Sequence, residues 1–81
     1  MELEGHTEAG HQPKSDTYGN WELTTDRANS ARRLLVDNGV QASQVRKVAG
    51  FADTKPLKDI DVGDQRNRRV TLLLRMKNDI E

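Results

Sequence analysis

A carboxylate and a guanidinium facing one pocket can hold a zwitterion, and Glu8 and Arg27 suit that task. The carboxylate takes an ammonium group. Arginine takes a carboxylate through two parallel hydrogen bonds. Glu8 follows Gly5, His6 and Thr7 just past a short strand, and Arg27 lies one or two turns inside a helix. That helix's free N-terminal N–H groups and positive field favour the same anion. On spacing alone, a plain Glu8–Arg27 ion pair or two separate solvated charges is the default reading.

Three other groups invite a chemical reading. His6, Glu8 and His11, with Asp16, carry imidazole and carboxylate donors of the kind zinc takes. Their spacing fits no helical ligand pattern, and ordinary polar loop histidines are the simpler account. Arg66, Arg68 and Arg69 open a strand, where successive side chains point to opposite faces. Arg68 and Arg69 therefore cannot share a task; one reaches the ligand side while the other is solvated or pairs with Asp61 or Asp64. Tyr18 and Trp21 flank the helix start, where they staple the loop or stack on a sugar; the staple is favoured. No serine has a nearby histidine or nucleophile-elbow glycines, and no phosphate-binding glycine loop is present.

The elements that must position these residues follow from pattern. Residues 1–4 read as the tail of a strand, and 5–20 as a long polar loop. Residues 21–38 form the principal helix, with Leu23, Ala28, Ala31, Leu34 and Leu35 at helical spacing. Asn20, Thr24 or Thr25 caps its start, and Gly39 closes its end. A short helical turn is expected at 42–44 and a strand at 45–52. Gly50 in that strand marks a bulge or a close backbone approach. Residues 53–66 are a second loop, and 68–76 a second strand. The order predicts an α/β (α+β sandwich) layer with a mixed sheet and helical cover on one face. The domain is expected over 1–77, with a tail at 78–81.

Composition narrows the function. The 81 residues include 13 basic and 13 acidic side chains, so the net charge is zero. An electrostatic nucleic-acid binder would show a basic surplus. The absence of cysteine excludes disulfides and thiolate chemistry. No apolar run reaches the ~20 residues that span a bilayer, and the acidic start is unlike a signal peptide. Leu, Ile, Val and Phe make up about a fifth of the chain, which is a thin core supply for one small domain.

Three ordered segments then add up to a family. They are L-E-G-H-T-E at 3–8, N-W-E-L-T-T-D-R-A-N at 20–29 and N-R-R-V at 67–70. Together they resemble the OmpA-like peptidoglycan-binding domain. The W-E-L and D-R-A-N version, with G-F-A-D-T-K-P-L at 50–57, is similar to the MotB/LafU subfamily of flagellar stator proteins. The resemblance implies a binding role without catalysis or cofactor. It places the amine of a peptide-stem diaminopimelate on Glu8 and its carboxylate on Arg27. Thr7, Asn20, Leu23 and Arg68 match the supporting positions at the pocket. It further implies a periplasmic module of an inner-membrane protein, working with a MotA-type stator subunit. An outer-membrane OmpA or Pal-type wall anchor is the neighbouring reading, and a degenerate fragment without binding activity is a further one. A metal-dependent hydrolase is the remote one.

Two departures stand out. Position 8 is Glu where the family pattern has Asp, and the added methylene moves the carboxylate by about an ångström, an error that weakens a clamp. The family's first strand and helix are also expected to be missing. An exposed sheet edge would follow, and with it a route to self-pairing as a homodimer.

Overall fold

The computed structural model describes residues 1–10 and 17–74. Its elements run β1 (Glu2–His6), α1 (Asn20–Asp37), a 3₁₀ turn (Ala42–Gln44), β2 (Lys47–Gly50), a second 3₁₀ turn (Gln65–Asn67) and β3 (Arg69–Leu73). β1 is the central strand of a three-stranded sheet ordered β2-β1-β3. It runs parallel to β2 and antiparallel to β3. The parallel pair is joined through α1, as a parallel pair requires. The expected mixed sheet with a helix on one face is therefore present.

Register decides which residues meet the helix. Leu3 lies opposite Val48 and Leu72, and Gly5 lies opposite Gly50 and Val70. These six share one face. α1 packs on that face over β1 and β2 and barely reaches β3. Leu3 is accordingly 1% exposed, while Leu72 is 44% exposed. Burying a leucine such as Leu3 is worth about 2 kcal/mol. Among the described residues the buried apolar core is small: Leu3, Ala28 and Ala52.

Two glycines let the helix sit this close. A Cβ on Gly5 would stand 1.9 Å from the Thr24 carbonyl oxygen, and one on Gly50 would stand 2.5 Å from the Thr25 backbone nitrogen. Both obstacles are helix backbone, which cannot swing aside. The close approach expected at Gly50 is thus found, and Gly5 makes its counterpart on the central strand. β1 also extends through Gly5 to His6, further than the strand tail expected at 1–4. The helix contact explains why a glycine here continues the strand.

The helix ends follow their local chemistry. Gly19, not Asn20, is the residue before the first turn, and its N–H donates to Glu22 Oε1 at 2.7 Å. Thr24 does not cap either; its hydroxyl donates back to the Asn20 carbonyl at 2.8 Å. At the other end Gly39 takes φ 107°, which a side chain would oppose. Gly39 N–H reaches the Val36 carbonyl and Val40 N–H the Leu35 carbonyl, a Schellman closure. The turn at 42–44 forms as expected. β2 is shorter than the expected 45–52, and β3 spans Arg69–Leu73. The expected strand end at 75–76 and the tail at 78–81 lie outside the described residues.

Candidate functional site

Past the ends of β1 and β2 the two chains stay in step for another residue pair. Phe51 N–H donates to the Gly5 carbonyl at 3.0 Å, and Thr7 N–H to the Ala52 carbonyl at 2.9 Å. Ala52 N–H then donates to Thr24 Oγ1 at 3.0 Å in a buried bond. This ties the first turns of α1 to the carboxyl ends of both strands. Thr7 and Glu8 therefore emerge beside the N-terminal half of the helix. Both are buried, at 2% and 6% exposure.

A buried carboxylate needs a partner. Arg68 supplies it: Nη2 donates to Glu8 Oε1 at 2.8 Å and Nε to Oε2 at 3.2 Å. The pairing raises the Arg68 guanidinium further above its already high value, mainly through these hydrogen bonds.

Arg27 is half-buried on α1. Among the described residues its side chain makes no hydrogen bond or ion pair. Of the two default readings, a Glu8–Arg27 ion pair is absent, and Glu8 is not a solvated charge either: it is buried and held by Arg68, sixty residues on. The Thr7 hydroxyl oxygen is buried and likewise without a hydrogen-bond partner among the described residues. Asn20, in the first turn of α1, and Leu23 are half-buried. Of the expected pocket residues, the structure joins Glu8 to Arg68 directly, and sets Thr7, Asn20, Leu23 and Arg27 at the neighbouring strand end and on the helix.

Arg68 and Arg69 turn to different partners, as expected of successive extended residues: Arg68 to Glu8, and Arg69, instead of solvent, Asp61 or Asp64, to the Lys55 carbonyl at 3.0 Å and the Asn67 carbonyl at 3.3 Å. Asp64 is taken by Arg66, through Nη2 at 2.8 Å and Nε at 3.1 Å. Those bonds hold the Asp64 carboxyl at about 2, below its usual 3.8.

The metal reading is not supported by this arrangement. His6 points to the sheet face opposite α1, where its ring stacks on Phe51 at 5.3 Å between centroids. Its Nε2 meets Glu4 Oε1 at 3.3 Å. Burial pushes its pKa below 6.5, and Arg69 adds to the effect against Glu4. Glu8 is engaged by Arg68, and among the described residues no cluster of metal-ligating side chains occurs. His11 and Asp16 lie outside the described residues. Tyr18 acts as the expected staple, its hydroxyl donating to Asp26 Oδ2. Trp21 does not; it is 54% exposed.

One residue escaped the pattern reading. Asn67 is fully buried, and its side chain makes three hydrogen bonds to backbone groups of 57–62. Its place in the N-R-R-V segment was the available signal. An asparagine beside three arginines reads as surface until its partners are seen.

Comparison with known proteins agrees with this layout. The chain matches the OmpA family over residues 1–69. It is 40% identical over 75 residues to Motility protein B of Escherichia coli (strain K12), covering 91% of this chain and 24% of that protein. LafU of the same strain is 36% identical over 76 residues, covering 94% of this chain and 36% of that protein. The chain thus spans between a quarter and roughly a third of these relatives' lengths. In structure it resembles the OmpA-like domain of FopA1 from Francisella tularensis subsp. tularensis SCHU S4, with TM-score 0.69 and 26% identity. That match covers 85% of this chain and 44% of the other. With the family matched over most of its length and the sheet, helix and buried carboxylate in place, the chain belongs to the OmpA family and is related to MotB and LafU.

Proposed function

We propose that this chain is a non-catalytic peptidoglycan-binding module of the flagellar stator type. In this reading Arg27 takes the carboxylate at the end of a diaminopimelate side chain, and Glu8 takes its amine. Thr7, Asn20, Leu23 and Arg68 shape the pocket around them. The observation that carries the reading is the state of Arg27. A half-buried guanidinium without a protein partner among the described residues keeps its donors available for a planar anion.

Charge supports the same ligand class. Glu8 and Arg68 offset one another, and Arg27 adds a positive charge. A lone ammonium gains little from such a site, whereas a zwitterion satisfies both ends. In a parent protein of this kind the module sits in the periplasm. It links an inner-membrane complex containing a MotA-type subunit to the wall, so that torque has a fixed point. Pairing of two copies through the β3 edge belongs to the same proposal.

Co-sedimentation of the 81-residue chain with purified sacculi tests the reading. The chain is expected to pellet with them. A diaminopimelate stem peptide should release it, and a stem ending in lysine, which lacks the side-chain carboxylate, should do so poorly. Failure to pellet, or equal release by both peptides, would contradict the proposal.

A further inference from the structure

Glu8 and Arg68 are sixty residues apart in sequence, so something must fix their meeting. The loop between β2 and β3 holds both. Val62 gives its carbonyl to Ala9 N–H at 2.8 Å, which anchors the turn that follows Glu8. Arg68 leaves the second 3₁₀ turn at the other end of the same loop. Between them lies the fully buried side chain of Asn67. Its Oδ1 accepts from Leu57 N–H at 2.7 Å, and its Nδ2 donates to the Asp61 carbonyl at 2.9 Å and, more weakly, to the Val62 carbonyl at 3.4 Å. One carbonyl, that of Val62, thus touches both Asn67 and the Glu8 turn.

We infer that Asn67 is a positioning residue, whose side chain locks loop 57–62 so that Arg68 and the Glu8 turn meet in bidentate register. Only an amide of this length offers an acceptor and donors in the required directions. Aspartate keeps the acceptor but turns a second oxygen toward two carbonyls. Alanine leaves a buried N–H and carbonyl unpaired. Either change frees the loop, and the pair then loses its geometry while β1, β2 and α1 keep theirs. The inference extends the binding reading above, because the pair it positions is that site's carboxylate.

The direct readout is the Arg68 Nε–H resonance in nitrogen-15 spectra of the whole chain, which is slowly exchanging when the bond to Glu8 is held. Asn67→Ala and Asn67→Asp are expected to broaden or lose this signal. Both should still melt cooperatively, and sacculus binding should fall by about tenfold or more. Persistence of the signal in either folded variant would overturn the inference. So would failure of both variants to melt cooperatively, since Asn67 would then hold the fold rather than the pair. The resonance requires no ligand, so it tests positioning even if the unmodified chain fails to bind sacculi, a result that would count against the binding reading alone.

Discussion

Glu8, two residues past the central strand β1, is held by Arg68, the residue before β3, through two hydrogen bonds. The carboxylate is buried and the guanidinium half-exposed. Replacing Glu8 by Gln keeps the shape and removes the charge. Arg68 then loses its counter-ion, and the proposed ligand amine keeps only an uncharged amide oxygen as acceptor. Sacculus binding should fall by about tenfold or more. Equilibrium binding to sacculi at fixed salt checks this.

Helix-to-sheet distance is set by Gly5 and Gly50. Gly5→Ala must drive the Thr24 carbonyl away from the central strand. Overpacking of this kind costs about 3 kcal/mol or more when backbone is the obstacle. For a domain this small that is a large share of its stability. Urea denaturation should show Gly5→Ala largely unfolded. Gly19→Ala should be mild, because its Cβ would meet only Glu22 Oε1 at 3.5 Å.

Thr24 carries a buried hydrogen bond that no apolar isostere can supply. Thr24→Val fills the same space but leaves Ala52 N–H without its acceptor. The expected cost is about 1–3 kcal/mol, read as a lower urea midpoint with an unchanged slope.

His6 links stability to pH. Its folded pKa lies below the unfolded 6.5, because burial and Arg69 disfavour the cation. The unfolded chain therefore binds the proton first as pH falls. Stability from this group is whole above 6.5 and is lost as pH drops through the folded value. His6→Phe, which keeps a ring against Phe51, should remove that loss. Asp64 acts in a separate window, between its usual 3.8 and about 2. Thermal melts at stepped pH distinguish the two.

Periodicity and punctuation made much of the fold legible. The helix came within one residue at each end, because Leu23, Ala28, Ala31 and Leu35 keep a 3.6-residue stripe and Gly39 ends it, although Leu34, expected in that stripe, is 64% exposed. That Arg68 and Arg69 turn to different partners followed from alternation, but the carbonyls that hold Arg69 did not. Strand ends were less legible: Gly5 looks like a breaker until Thr24 is seen above it. The placement of Thr7 and Glu8 past a strand end and of Asn20 at a helix start was legible, whereas the partner of Glu8 was not. Spacing left Glu8 either paired with Arg27 or solvated, and only the return of the chain at residues 67–68 brings Arg68 there. Buried polar anchors such as Asn67 and His6 stay hidden for a similar reason. Their partners are backbone groups or rings supplied by distant loops.

In the proposed binding mode Arg27 receives the ligand carboxylate. Co-sedimentation of Arg27→Ala with sacculi, beside its melting curve, tests it most directly. Arg27→Ala should melt as the unmodified chain does, since no hydrogen bond or ion pair among the described residues is lost, and should disappear from the sacculus pellet. Retention of Arg27→Ala to the same extent as the unmodified chain would contradict it.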